Sequence, residues 1–129
     1  MHRVWLVEDN SDDALLVQRA FHGDAFHFEA VKSGEEALKK LTGPLSQQRD
    51  FNRPSLILVD LSLPGMNGLD LISVLKANPS TANIPIVILT GSERDEDAVE
   101  SLKIGAIKFL RKPLTPLTVG EILNECLDK

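Results

Sequence analysis

The chain has 129 residues, a formal net charge of −5, 43% hydrophobic and 26% charged residues, enough for one packed domain and too few for two. The acidic balance excludes the basic stripe that non-specific nucleic-acid binding needs, and no apolar run approaches the length of a membrane span. A single cysteine, Cys126, can form no internal disulfide, and the short apolar stretch before Glu8 is too brief for a signal peptide, so a cytoplasmic location is expected.

Val4–Val7 is a continuous apolar run that leads into Glu8-Asp9. Ser11–Phe21 reads as a helix, with Ser11 as its cap and Asp12 and Asp13 suited to its positive end. Asp13, Leu16, Val17 and Ala20 share a face at helical spacing, which is assigned to the core and leaves Leu15 pointing outward as a candidate docking residue. Phe26–Val31 alternates less cleanly and reads as an edge strand. Ser33-Gly34-Glu35-Glu36 has capping-box spacing, and Gly43-Pro44 ends the helix it opens. A polar connection then runs to Pro54.

Leu56–Val59 is apolar and delivers Asp60. Asn67–Ala77 reads as a helix stopped by Asn78-Pro79. Ile86–Leu89 leads to Thr90-Gly91-Ser92, and Asp95–Ile104 is a helix stopped at Gly105. Ile107–Leu110 leads to Lys112-Pro113. Thr115-Pro116 caps and starts a last helix to Leu127. Strand and helix alternate five times, and four of the strands are nearly continuous in apolar residues, as strands covered on both faces should be. The expectation is α/β: a doubly wound, five-stranded parallel sheet with helices on both faces. The strand order 2-1-3-4-5 is carried over by analogy from flavodoxin-like folds.

In such a sheet ligands bind beyond the carboxyl ends of the strands. There the first strand offers Glu8 and Asp9, the third Asp60, the fourth Thr90 and the fifth Lys112. Alone, an aspartate after an apolar strand is most often a turn starter, and a lysine a surface lysine. The joint reading rests on each residue following a different strand at one edge. Three carboxylates this close raise one another's pKa unless a cation joins them. Oxygen-only donors suit Mg²⁺, whereas His2, His22, His27 and Cys126 are too scattered for zinc. With a metal and Lys112 neutralising charge, and Thr90 donating, a carboxylate can attack a phosphoryl group.

Leu-Val-Glu-Asp-Asn at 6–10, Leu-Val-Asp-Leu-Ser-Leu-Pro-Gly-Met-Asn-Gly at 58–68, Ile-Leu-Thr-Gly-Ser at 88–92 and Phe-Leu-Arg-Lys-Pro at 109–113 resemble the motifs of response-regulator receiver domains, of the single-domain chemotaxis type. The four are in register over nearly the whole chain. The resemblance implies one receiver domain over 1–129, without an output domain, that serves two-component signal transduction. It makes Asp60 the phosphorylated aspartate. Mg²⁺ would be bound by Asp9, Asp60, the backbone carbonyl of Ser62 and, through water, Glu8. Thr90 and Lys112 would hold the phosphoryl oxygens. Thr90 and Phe109 would form a switch acting on the surface of the fourth helix, fifth strand and fifth helix. Pro113 would follow a cis bond, and Ser62 and Ser92 would occupy positions that tune hydrolysis. The implied partner is a sensor histidine kinase or histidine phosphotransfer protein. Such a domain catalyses only its own phosphorylation and dephosphorylation, and the resemblance also admits a homodimer.

Two features depart from the common pattern. Trp5 stands in the first strand where a smaller aliphatic is usual, and reads as a core residue needing small neighbours. The long 43–54 connection resembles that of receivers served by phytochrome-type kinases. Two rivals fare worse. An aspartate-nucleophile phosphatase needs a second acid two residues after the nucleophile, where this chain has Ser62. A flavin or nucleotide carrier needs a loop that cradles phosphate, whereas Glu8-Asp9-Asn10-Ser11-Asp12-Asp13 would repel one.

Overall fold

Strand and helix alternate as β1 (His2–Val7), α1 (Ser11–Ala20), β2 (Phe26–Val31), α2 (Gly34–Thr42), β3 (Leu56–Asp60), α3 (Gly68–Ala77), β4 (Ile86–Thr90), α4 (Asp95–Ile104), β5 (Lys108–Arg111) and α5 (Pro116–Ile122). This is a computed structural model, and it describes residues 2–21, 26–44, 53–61, 63, 65–91, 95–112, 114–122 and 125. The strands form one parallel sheet in the order β2-β1-β3-β4-β5. β2 is an edge strand, as expected, and stays half-buried, while β3 and β4 are buried along their whole length.

The pleat sorts side chains between two layers. Trp5, Val7, Ile57, Val59, Ile86 and Ile88 pack with Ala37 and Leu41 of α2, Leu71, Ile72 and Leu75 of α3, and Ile104 at the end of α4. Val4, Leu6, Leu56, Leu58, Val87, Leu89 and Leu110 pack with Val17 and Phe21 on the α1 side and Val119 and Ile122 of α5. Helices therefore cover both faces, as right-handed crossovers demand. Trp5 is nearly buried in the first layer, in the packing role expected of it.

Helix α1 differs from expectation in two ways. Its cap is Asn10, not Ser11: the Asn10 side chain accepts from Asp13 N at 3.0 Å. Its inward face is Ala14, Val17, Ala20 and Phe21, so Val17 and Ala20 lie as expected, whereas Leu16 is 57% exposed and does not belong to the core. Residues 14, 17 and 21 lie one turn apart, and Leu16 sits about 100° from Val17, on the outer side with Leu15. Asp13 reaches toward the sheet's carboxyl rim instead.

Elsewhere the ends follow local chemistry. Ser33 Oγ accepts from Glu36 N at 3.0 Å, and the Glu36 carboxylate reaches back to Lys32 N at 3.1 Å, one residue beyond the usual capping box. At α5, Thr115 and Thr118 exchange backbone-to-hydroxyl bonds of 2.8 and 3.3 Å. β5 begins at Lys108, one residue later than predicted. Ile107 is exposed, although its N–H still donates to Ile86 O at 2.9 Å. The end of the predicted last helix and most of the 43–54 connection lie outside the described residues. Among those described, no helix is long and apolar enough to cross a membrane.

Candidate functional site

The carboxyl ends of β1, β3, β4 and β5 bring the predicted polar residues to one rim. β3 ends on Asp60, which is 7% exposed, and Glu8, just past β1, is 2% exposed. Glu8 is held there because its N–H continues the ladder to Val31 O at 2.9 Å. Lys112 N likewise bonds Thr90 O at 2.9 Å, which carries the end of β5 to the same rim. Leu6, Leu58 and Leu110 point toward α1 and α5, and by the same alternation so do Glu8, Asp60 and Lys112. Thr90, buried, follows Ile86 and Ile88 onto the opposite side.

Lys112 Nζ donates to Asp60 Oδ2 at 2.9 Å and to Glu8 Oε1 at 2.5 Å. Burial pushes the Glu8 carboxyl up to about 7, the hydrogen bond it shares with Asp60 adds to this, and Lys112 opposes it. Burial works against the charge on Lys112, but its hydrogen bonds to Glu8 and Asp60 prevail and hold the ammonium above its ordinary value. The lysine is thus a fixed positive charge at any physiological pH.

One oxygen from each of Glu8, Asp9 and Asp60 lies within 4.8 Å of the others, with Glu8 and Asp60 buried and Asp9 exposed. Oxygens on opposite sides of a hard divalent cation are about 4–5 Å apart, so this trio fits one. All three donors are oxygens, and Asp9 on the open side leaves room for water and an incoming ligand. The donor set matches a hard cation and offers nothing to a soft one.

The chain leaving Asp60 turns at Gly65, whose φ of +66° suits glycine. Met66 N then donates to Glu35 Oε1 at 2.8 Å, tying this turn to α2. That bond holds the Glu35 carboxyl below its ordinary value. Asn67 caps α3 through Asp70 N at 2.9 Å. Gly68 opens α3 directly against the strand. A Cβ there would stand 2.9 Å from Asp60 O and 3.0 Å from Leu61 Cα. Alanine normally favours a helix over glycine by about 1 kcal/mol. Here Gly68→Ala should instead destabilise by about 1–3 kcal/mol, as overpacking against backbone does. Urea titration would show this, and a more stable Gly68→Ala protein would refute it.

Phe109 is half-buried on β5 opposite Ile88, and packs against the α2–α3–α4 layer. Ser62, Ser92 and Pro113 lie outside the described residues. The sequence reading missed Asp13, whose Oδ2 is 3.3 Å from Lys112 Nζ. It was placed on the core face of α1 through the misassigned helical phase. No signal in the sequence marks it, because its contact with Lys112 depends on how α1 packs against the sheet.

A family model described as response regulator receiver domain matches residues 4–124. The DNA-binding response regulator MtrA of Mycolicibacterium paratuberculosis (strain ATCC BAA-968 / K-10) is 34% identical over 114 residues, covering 88% of this chain and 46% of that protein. The chain therefore spans less than half the length of that relative. The phosphorylated cyanobacterial phytochrome response regulator RcpA matches with a TM-score of 0.82 at 28% identity, over 99% of this chain and 96% of that one. The Mn(2+)-bound form of response regulator Rcp1 gives 0.77 at 29% identity, over 100% and 96%.

Proposed function

The chain belongs to the response regulator receiver domain family, and on that premise we propose that Asp60 accepts a phosphoryl group from the phosphohistidine of a sensor histidine kinase or histidine phosphotransfer protein. It does so in the cytoplasm and turns over no external substrate. The observation that carries this reading is the buried Asp60 carboxylate, with Lys112 Nζ 2.9 Å away and Glu8 and Asp9 beside it. Similarity to a phosphorylated response regulator and to a Mn(2+)-bound one supports it.

An Asp60 oxygen forms a bond to phosphorus, the donor's phosphorus–nitrogen bond breaks, and its electron pair stays on the histidine nitrogen. Lys112 and Thr90 hold the equatorial oxygens as charge shifts among them. Mg²⁺ on Asp9, Asp60, the Ser62 carbonyl and, through water, Glu8 would neutralise phosphoryl charge. Water attacking phosphorus later returns the free carboxylate and inorganic phosphate.

The sheet's sidedness supports a switch. Thr90 turning toward the phosphoryl group vacates space on the α4 side, and Phe109 can move into it. Without a hydroxyl, Phe109 has no anchor in either position, so packing alone sets its preference. A few kcal/mol of differential interaction suffices to shift such an equilibrium.

Incubation with acetyl phosphate and Mg²⁺ should add one phosphoryl group that maps to Asp60, and EDTA should prevent it. Beryllofluoride, an acyl-phosphate mimic, should shift the NMR signals of Thr90 and Phe109. A label on another residue, or uptake indifferent to EDTA, overturns the reading.

A further inference from the structure

An ammonium group has three N–H donors and no acceptor, and at Lys112 three carboxylates take them. Glu8 Oε1 is at 2.5 Å, Asp60 Oδ2 at 2.9 Å and Asp13 Oδ2 at 3.3 Å. The Glu8 and Asp60 side chains are buried, whereas that of Asp13 is 42% exposed. Asp13 stands outside the Glu8–Asp9–Asp60 trio. It reaches the lysine from the first turn of α1, where the Asn10 cap holds its N–H. Asp13 and Lys112 also line a solvent-open cavity of about 320 Å³ with Leu16, Val17 and Leu114.

We propose that Asp13 is the exchangeable anchor of Lys112, a positioning residue that parks the ammonium at rest and releases it when a phosphoryl oxygen arrives. The proposal rests on Asp60 being the acceptor. With every donor engaged, Lys112 can bond a phosphoryl oxygen only if one carboxylate lets go. Releasing Glu8 or Asp60 would leave a buried charge without its partner, which is strongly unfavourable. Releasing Asp13 breaks the longest contact and returns an already half-wet carboxylate to water, where exposed ion pairs lose little. Asp13 also places a negative charge where an anionic donor must approach. The anchor therefore slows phosphorylation in proportion to its own strength.

The test uses the full chain with Asp13→Asn and Asp13→Glu. In metal-free, unphosphorylated protein, NMR of the Lys112 ammonium reads its proton exchange with water. Asp13→Asn should speed that exchange at least two-fold, and Asp13→Glu should restore the wild-type rate. Under beryllofluoride, wild type and Asp13→Asn should exchange alike, because the anchor has already been released. With acetyl phosphate and Mg²⁺, Asp13→Asn should be phosphorylated about two- to five-fold faster, the range expected for one exposed ion pair. Unchanged ammonium exchange at rest, or phosphorylation no faster than wild type, overturns the proposal. If no protein takes up phosphoryl at all, the acceptor assignment fails, while the resting exchange rates still judge the anchor.

Discussion

Asp60→Asn is expected to abolish phosphoryl uptake and, in the same protein, to stabilise the metal-free fold. An amide cannot serve as the nucleophile, so the first effect is complete. The second comes from Glu8, whose carboxyl burial and Asp60 together push up to about 7 from an ordinary 4.5. The folded state then binds a proton that the unfolded chain has already released. Stability therefore declines as pH rises from about 4.5 to about 7, and the full penalty persists above that window. Removing the Asp60 charge lowers the Glu8 pKa and relieves part of it, at about 1.4 kcal/mol for each unit recovered. Urea titrations in EDTA at about pH 5 and pH 8 should show wild type losing stability between them. Asp60→Asn should lose less, and lead at the higher pH by about 1 kcal/mol. Magnesium should stabilise wild type strongly and the variant weakly, because a ligand stabilises only the fold it binds. A less stable Asp60→Asn protein at pH 8 would contradict this account.

Lys112→Ala should do the opposite. It strips Glu8, Asp60 and Asp13 of the cation they share. Breaking a buried pair from one side costs about 3–5 kcal/mol, a large part of the 5–15 typical of a domain. The loss should be greatest near pH 8 and smaller near pH 5, where Glu8 takes up a proton. Magnesium should restore part of the stability by placing two positive charges among the same acids. It should not restore function, since the donor aimed at the phosphoryl group is gone. Uptake should fall by about 10²-fold or more, as removal of a transition-state donor does. Melting curves with and without Mg²⁺ at both pH values decide the matter. Equal stability of variant and wild type in EDTA at pH 8 would refute it. Together the two substitutions test one contact from both ends, with opposite signs required.

The sheet was legible because its inner strands are buried on both faces. Leu56–Val59 and Ile86–Leu89 can be read as nothing else when bounded by turn residues. The rim residues followed, since Glu8, Asp60, Thr90 and Lys112 each sit at the end of such a run. Helical phase was harder to read. In α1 three apolar residues in succession, Leu15, Leu16 and Val17, define a broad apolar arc with no sharp centre. Packing settled the phase: Val17 and Ala20 face inward as expected, but Ala14 and Phe21, not Leu16, complete the buried face. With that face inward, Leu16 is exposed and Asp13 stands beside Lys112. Residues 104 positions apart in sequence, Glu8 and Lys112, could be placed together from strand order, but a third carboxylate on a helix could not.

The pleat that sends Glu8, Asp60 and Lys112 one way and Thr90 the other also divides the molecule for evolution. Substitutions on the α3 and α4 layer can alter what the domain contacts while leaving Glu8, Asp60, Lys112 and the α1 shoulder untouched. On the proposed reading, substitutions along α1 would change the phosphoryl donor while the Thr90 and Phe109 side stays intact. A gene duplicate could thus drift toward a new donor or a new listener one at a time, with the shared chemistry held constant between them. The parity of a β-strand keeps the two sets of substitutions on separate layers, joined only at the rim.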